Sequence, residues 1–431
     1  MHLLKWLYPG MKFKRWLLLF AAGVMIVSLG IAVVFNYKYI DHIEEAIFRT
    51  VYLWSGGYDY KYTAIAGLIM VAAGASIMLV AAKFIIKSVI TVLLPSNPSE
   101  KLVDLIYEKR MLGKGPAITV VGGGHGLSVL LRGIKQATSN VTAVVTVADD
   151  GGSSGRLRQD LGMIPPGDLR NCLVALADTE PLMEKLFQHR FEGSSELSGH
   201  SFGNLFIAAM TQVTGDVETA LKESSKVLAV KGQVLPASKE FVRLDAIMED
   251  GTVVCGESHI PEAHKRIHRV KLYPEHAEAV QSSLDAIRNA EAIVLGPGSL
   301  YTSVIPNLLV EGIGDAICRS KAVKIYICNV MTQPGETDGY TASMHVKAIM
   351  DHAGRNAVDY VIVNSTPVPE DLKQKYAETG AYPVVVDDDA LNQLGVGIIK
   401  ADLITSKDAI HHDPKKLCDS ERFRSHRVIL I

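Results

Sequence analysis

Two adjacent carboxylates, Asp149 and Asp150, directly follow the apolar run "VTAVVTVA". At the end of a buried strand, carboxylates of this kind suit Mg²⁺, a ribose hydroxyl or the edge of a base. The residues after them combine glycines, which keep the backbone accessible, with arginines, whose guanidinium groups suit phosphate. The stretch therefore predicts a ligand site, with Asp149 and Asp150 as candidate Mg²⁺ ligands. Its other candidate ligand-binding residues are Gly151, Gly152, Ser153, Asp168 and Arg170.

Residues 151 to 155, "GGSSG", also satisfy the pattern G-x-S-x-G of the nucleophile elbow in α/β-hydrolases. In that elbow the serine lies in a sharp turn directly after the strand. Here two aspartates and two glycines separate Ser153 from the apolar run. A serine hydrolase is therefore a remote alternative, and an ordinary solvated turn is the alternative for the two aspartates.

Two glycine-rich turns each follow a β-rich run and precede a helical pattern. In the first, Gly122 and Gly124 fit the dinucleotide-binding fingerprint, but Leu127 stands at its third glycine position. We therefore predict a phosphate contact of another geometry at the helix N-terminus, with a simple tight turn as the alternative. The candidate residues of the two turns are Gly122, Gly123, Gly124, His125 and Gly126, followed by Gly296, Gly298, Ser299 and Tyr301.

Two further stretches carry side chains that form hydrogen bonds. The segment "GHSFGN" places His200 and Asn204 four residues apart on one face of a helix that Ser201 can begin. His200 suits a role as acid, base or hydrogen-bond donor, and a locally packed histidine is an equal alternative. After "VKIYIC", amide and hydroxyl groups suit sugar hydroxyls or a base edge. The candidates there are Asn329, Thr332, Gln333, Glu336 and Thr337.

The elements that must position these residues alternate between β-rich runs and helical patterns from residue 116 to the C-terminus. This alternation predicts an α/β fold of Rossmann-like type, a parallel sheet with helices on both faces. In such a sheet, ligands bind at the carboxyl ends of the strands. Residues 241–258 alternate apolar and polar side chains about a turn at 249–251, which predicts a β-hairpin excursion from the core.

The first part of the chain is different. The intervals 16–37 and 62–82 contain no Asp, Glu, Lys or Arg, and each is long enough to cross a bilayer as a helix. We predict a membrane anchor over 1–94 with two transmembrane helices, a linker over 95–115 and a ligand-binding domain over 116–431. Basic residues flank the two spans on one side, so both termini are expected in the cytoplasm.

Cysteine content and net charge agree with that compartment. The five cysteines form no CxxC pair, as expected of reduced thiols in the cytoplasm. The net charge of −2 argues against nucleic acid as the main partner.

Five motifs carry a resemblance to a known family. They are "VVGGGHGLSVLLRGIK", "VTVADDGGSSGRLRQDLGMIPPGDLRNCLVALAD", "GHSFGNLFIAAM", "VLGPGSLYTSVIPNLLV" and "CNVMTQPGETDGYTAS". Together they resemble the gluconeogenesis-factor (YvcK-like) branch of the CofD-like family. The resemblance spans about 116–431, and residues 1–115 are expected to lie outside the shared domain.

The resemblance implies a cytosolic domain that binds a nucleotide sugar, UDP-N-acetylglucosamine or a relative. It implies a regulatory role in carbon flux into cell-wall synthesis and cell shape on gluconeogenic carbon sources, with no required cofactor. It also implies that Asp149, Asp150, Asn171 and Asn329 line the nucleotide crevice. Candidate partners are cell-wall regulatory proteins and a second copy of the chain.

The other branch of the family contains 2-phospho-L-lactate transferase, so a Mg²⁺-dependent group transferase is the enzymatic alternative. Two positions depart from the family pattern. His125 stands where Thr is expected, and Met344 stands where Asp is expected. Loss of that carboxylate would leave a metal site short of one ligand. Binding without turnover is therefore the preferred expectation.

Overall fold

The computed structural model describes residues 14–34, 49–50, 52–53, 60–93, 111–178, 181–194, 196–406 and 410–412. The chain divides into two compact units, Met1–Glu108 and Lys109–Ile431.

The N-terminal unit contains two long apolar helices, Lys14–Val34 and Tyr60–Leu93, which pack antiparallel through glycines. A Cβ at Gly30 would lie 2.9 Å from the carbonyl oxygen of Gly67, and one at Gly74 would lie 2.8 Å from that of Gly23. The glycines therefore let the two backbones approach closely. By length and composition, Arg15–Val34 and Ala64–Ser88 could each cross a membrane.

The second unit is built on a sheet of seven parallel strands. Strands such as "VTAVV" are almost wholly buried, as expected of a parallel sheet covered on both faces. The strands are β1 Ile118–Gly122, β2 Val141–Val145, β3 Gln233–Pro236, β7 Ala292–Leu295, β8 Val323–Ile327, β9 Tyr360–Asn364 and β10 Gly397–Ala401.

Helices connect and cover these strands. They are Gly124–Ile134, Gly152–Leu161, Gly167–Leu176, Pro181–Gln188, Phe202–Thr214, Val217–Val227, His259–Glu262, Gln281–Asn289, Ile305–Leu309, Ile313–Arg319, Ala342–Ala353, Glu370–Ala377 and Asp388–Gln393. A π-helix, Leu300–Val304, and a 3-10 helix, Arg355–Ala357, complete them.

The strand order is β10-β9-β8-β7-β1-β2-β3, so the winding direction reverses between β1 and β7. This confirms the predicted Rossmann-like fold. The reversal leaves a crevice outside the carboxyl ends of β1 and β7, because the connections leave those two strands on opposite sides.

The predicted β-hairpin excursion is also confirmed. Strands β4 Arg243–Met248 and β5 Val253–Cys255 pair antiparallel. A third strand, β6 Ile267–Tyr273, pairs with the other side of β4. The turn between β4 and β5 contains Gly251 with a φ of +82°, a conformation that favours glycine. A short antiparallel pair follows β10, with β11 Ile404–Ser406 and β12 Ile410–His412.

Candidate functional site

The two predicted glycine turns meet at the crevice between β1 and β7. A Cβ at Gly126 would lie 2.8 Å from the carbonyl oxygen of Pro297. A Cβ at Gly298 would lie 3.0 Å from the carbonyl oxygen of Gly123. Glycine is thus required for one turn to pack against the other. The helix Gly124–Ile134 begins at this contact, and its N-terminal N–H groups form an electropositive edge suited to an anion.

Asp168 holds the first turn in place. Its Oδ2 accepts a hydrogen bond of 2.7 Å from the backbone N–H of Gly124. A Cβ at Gly123 would lie 2.6 Å from the same oxygen, so that position also needs glycine. Burial and, to a smaller extent, the nearby Asp149 carboxylate raise the pKa of Asp168 to about 6.

Asp149 and Asp150 have different surroundings. Asp149 accepts a hydrogen bond of 2.9 Å from the backbone N–H of Gly151, and burial raises its pKa. Asp150 accepts one hydrogen bond of 3.0 Å from the backbone N–H of Glu257 and another of 3.0 Å from that of Ser258. Both carboxylate oxygens of Asp150 therefore tie the crevice to the excursion.

The excursion brings a further carboxylate that the sequence reasoning missed, Glu257. Burial and, after it, the Asp149, Asp150 and Glu336 carboxylates together raise its pKa to about 8. The nearby Thr302 side chain partly opposes this rise in the pKa. No local motif marks Glu257, because only the fold of the excursion carries it to the crevice.

Glu336 was predicted as a ligand-binding residue and lies on the other side of Thr302. The Thr302 hydroxyl is 3.3 Å from Oε1 of Glu336. Burial raises the pKa of Glu336 to about 7. Its Oε2 is buried and, among the described residues, has no hydrogen-bond partner. Thr302 is therefore close to two carboxyl groups, those of the buried Glu336 and the partly buried Glu257.

Ionised carboxylates in the crevice oppose a phosphate unless a cation or protons accompany it. Within the described ranges, no three His, Cys, Asp or Glu side chains are arranged to hold a metal ion by themselves. Phosphate oxygens and water are common additional ligands of Mg²⁺. Asp149 and Asp150, the candidate Mg²⁺ ligands, would need such additional ligands to complete a coordination shell.

Ser153, His200 and Asn204 form a buried polar cluster. The Ser153 hydroxyl is 3.0 Å from Nδ1 of His200 and accepts a hydrogen bond of 3.0 Å from Nδ2 of Asn204. Burial lowers the pKa of His200, so the imidazole is neutral at pH 7. Among the described residues no carboxylate is hydrogen-bonded to His200, so the orienting acid of a hydrolase triad is not supplied.

Asn329 connects the second glycine turn to the loop after β8. Its Nδ2 donates a hydrogen bond of 2.8 Å to the carbonyl oxygen of Gly298 and lies 3.3 Å from Oε1 of Gln333. Nε2 of Gln333 donates a hydrogen bond of 2.7 Å to the Ser299 hydroxyl. The two amides therefore line the edge of the crevice and fix the position of the turn.

Other candidates face the protein interior. The Tyr301 hydroxyl pairs with that of Tyr340 at 2.8 Å. Thr332 accepts a hydrogen bond from the backbone N–H of Tyr382, and Thr337 accepts one from that of Gln333. These residues stabilise the loops around the crevice.

The arginines are also engaged within the protein. The buried guanidinium of Arg170 donates to the Ser201 hydroxyl and, at 2.7 Å, to Oδ1 of Asn171. That of Arg158 donates to the carbonyl oxygen of Val242 and stacks over the Phe241 ring at 3.9 Å. Arg158 thus joins the helix after β2 to the excursion.

The two departures from the family pattern lie on helix first turns. His125 is exposed at the start of Gly124–Ile134, where the Ser128 hydroxyl donates to its carbonyl oxygen. Met344 is 44% exposed at the start of Ala342–Ala353.

The relatives that comparison with known proteins identifies agree with one another. Residues 118–404 match the family model described as 2-phospho-L-lactate transferase CofD. A Halalkalibacterium halodurans protein described as "Gluconeogenesis factor" is 56% identical over 304 residues, which are 70% of this chain and 94% of that protein. A crystal structure of a Bacillus halodurans protein superposes with a TM-score of 0.70 at 54% identity, covering 74% of this chain and 100% of that one.

A Clostridium acetobutylicum protein described as "Putative gluconeogenesis factor" is 46% identical over 427 residues, 97% of this chain and 90% of that protein. This match extends into the N-terminal unit, whereas the family model begins at residue 118. A Bacillus subtilis protein described as "Gluconeogenesis factor" is 54% identical over 307 residues, covering 71% of this chain and 97% of that protein. The chain belongs to the CofD-like family, in its gluconeogenesis-factor branch.

Proposed function

We propose that this protein binds a nucleotide sugar of the UDP-N-acetylglucosamine type and regulates carbon flux into cell-wall synthesis. The single observation that carries this proposal is the contact between the two glycine turns at the point where strand order reverses. There Gly126 packs against Pro297 and Gly298 against Gly123, beside a helix N-terminus. A diphosphate fits such an edge because backbone N–H groups and the helix dipole both favour an anion.

The polar side chains around the turns support a nucleotide sugar over a bare phosphate. The amides of Asn329 and Gln333 lie beside the second turn and can exchange their mutual hydrogen bond for bonds to a base or sugar. The Asp149 and Glu257 carboxylates interact with each other in the same crevice and could share a Mg²⁺ ion with the diphosphate. Mg²⁺ is thus proposed to enter with the ligand.

The N-terminal helices support anchoring of this domain at the cytoplasmic face of a membrane. In this proposal both Arg15–Val34 and Ala64–Ser88 span the bilayer, and both termini are cytoplasmic. A cytosolic nucleotide sugar would then reach the crevice directly.

A group transferase is the second candidate function, favoured by the description of the matching family model. It would need a nucleophilic acceptor in line with the donor phosphate and a group to take its proton. Glu257, with its pKa near 8, is the side chain best suited to accept that proton.

Calorimetry on the full chain in detergent tests the binding proposal. Saturable binding of UDP-N-acetylglucosamine is expected, and it should be tighter with Mg²⁺ than with EDTA. The variant Asp149→Asn should lose most of the Mg²⁺ effect, whereas Asp371→Asn, at an exposed site on another helix, should retain it. Equal affinity in Mg²⁺ and in EDTA would show that Mg²⁺ does not take part in binding. The absence of saturable binding would show that the crevice is not a site for this nucleotide sugar.

Mass spectrometry of the same mixtures separates the two functions. We expect the nucleotide sugar to remain intact after incubation with Mg²⁺ and candidate acceptors. Release of UDP or UMP that disappears in Asp149→Asn would establish the transferase instead. For the cellular role, the Asp149→Asn chain should fail to restore growth and cell shape on a gluconeogenic carbon source.

A further inference from the structure

A second concave surface lies at the opposite edge of the sheet, at the amino-terminal ends of β8, β9 and β10. It encloses a cavity of 740 Å³, within the range that small-molecule ligands occupy. The strand β8 separates it from the crevice, with Lys324 at one end and Asn329 just beyond the other, about 16 Å apart. The two sites are therefore distinct.

The charged groups that line this cavity are mostly cationic. They are Lys321, Lys324, Arg355 and Asp359. Three cations against one carboxylate leave a surplus of two positive charges. A concave surface of one sign concentrates oppositely charged ligands.

Lys324 is the buried cation of the set, with only 8% of its surface exposed. Its ammonium lies 3.3 Å from Oδ2 of Asp359 and 3.4 Å from the carbonyl oxygen of Ser320. The same carboxylate oxygen also accepts a hydrogen bond of 2.9 Å from the backbone N–H of Lys324. Since an ammonium carries three N–H donors, these two long contacts leave room for another acceptor.

Lys321 and Arg355 are exposed, and neither side chain forms an ion pair or a hydrogen bond to any residue that the structure describes. The neighbouring Arg319 differs, because it pairs with Asp315 at 3.6 Å. The cavity therefore holds two cations whose charge is not compensated within the protein.

Helix C-termini offer a competing explanation, because they attract cations. The helices Ile313–Arg319 and Ala342–Ala353 both end at this edge. Of the three cations, however, only Lys324 donates to a helix-terminal carbonyl oxygen, that of Ser320. The helix ends thus account for Lys324, whereas Lys321 and Arg355 donate to no helix-terminal carbonyl oxygen among the described residues.

We propose that this cavity is an anion site that binds the phosphate group of a small ligand between Lys321, Lys324 and Arg355. The Arg355 guanidinium can hold two phosphate oxygens, while the lysines supply point charges. The hydroxyl of Ser320 and the amide of Asn356 line the same cavity and suit the rest of a phosphorylated sugar. This proposal does not depend on the proposed function of the crevice.

Titration of the full chain with pyrophosphate in EDTA tests the proposal. Without a divalent cation, the acidic crevice is unfavourable to a phosphate, so the basic cavity is tested separately. Calorimetry in nanodiscs of neutral lipid should give saturable binding. The double variant Lys321→Ala, Arg355→Ala should weaken it at least about tenfold, since it removes charge-assisted hydrogen bonds to the phosphate. The control Arg319→Ala should bind as the natural chain does.

Two results would overturn the proposal. One is the absence of saturable pyrophosphate binding. The other is unchanged affinity in the double variant, which would assign the anion to another part of the molecule. A repeat in nanodiscs of phosphatidylglycerol identifies the source of the phosphate. Unchanged affinity there supports a soluble ligand, and strong competition with pyrophosphate in the natural chain supports a lipid headgroup at the same cations.

Discussion

Oδ2 of Asp168 lies 2.7 Å from the backbone nitrogen of Gly124, and this hydrogen bond joins the helix Gly167–Leu176 to the turn after β1. Burial raises the pKa of Asp168 from 3.8 to about 6. The folded state therefore binds the proton more tightly than the unfolded chain. It follows that this residue lowers the free energy of unfolding as pH rises from about 4 to 6.

In the variant Asp168→Asn, the amide oxygen can still accept the hydrogen bond from the backbone N–H of Gly124. The amide does not titrate, however. We expect its thermal midpoint to change less between pH 4 and 6 than that of the natural chain. Circular dichroism in detergent is the suitable measurement, because all three tryptophans precede residue 60. Parallel pH profiles for the two chains would show that Asp168 does not titrate as expected.

Glu257 should impose a similar dependence at higher pH. Its pKa is raised from 4.5 to about 8 by burial and the neighbouring carboxylates, so its ionisation opposes the folded crevice as pH rises from about 5 to 8. The variant Glu257→Gln should have a higher thermal midpoint than the natural chain at pH 8 and a similar one at pH 4.

The matched control is Glu262→Gln, an exposed position at the end of the short helix that follows. It should follow the natural chain at every pH. If both variants shift the midpoint equally, the effect of Glu257 reflects net charge and not its position in the crevice.

Substitution at Gly126 should separate the two glycine turns. In Gly126→Ala, the added Cβ would lie 2.8 Å from the carbonyl oxygen of Pro297, so one turn must move. We expect lower thermal stability and nucleotide-sugar affinity reduced by at least about tenfold, because the phosphate-facing N–H groups shift with the turn. In the control Gly113→Ala, the nearest atom would be 4.0 Å away, and neither property should change. If Gly126→Ala binds the nucleotide sugar with the affinity of the natural chain, the contact between the two turns is not needed for binding.

The proposed membrane topology places Tyr52 outside the cell and Ser406 inside. A cysteine at each position, in a chain whose native cysteines are replaced, can be tested with a maleimide that does not cross the membrane. In intact cells, Tyr52→Cys should be labelled and Ser406→Cys should be spared until the cells are opened. Labelling of Ser406→Cys in intact cells would refute the orientation and, with it, a cytosolic ligand.

Local patterns in the sequence determined the alternation of strands and helices, the excursion around Gly251 and the two glycine turns. Each of these depends on residues close together in the chain. β-branched runs make buried strands, and glycine permits backbone conformations and contacts that other residues disfavour. The same locality explains why the predicted candidates Asn329, Gln333 and Glu336 fall at one edge, since parallel strands end on the same side of the sheet.

The tertiary structure alone decided which of these residues touch each other. Asp150 bonds to the backbone of Glu257 and Ser258, more than 100 positions away, and so is held in the framework of the site. Ser153 and His200 are also far apart in the chain, and only the tertiary structure brings their side chains into contact. Glu257 becomes part of the crevice because the excursion folds back to the loop after β2, where Asp150 binds its backbone. Burial and neighbouring charge then set its pKa, and both depend on atoms distant in the chain that no local pattern encodes.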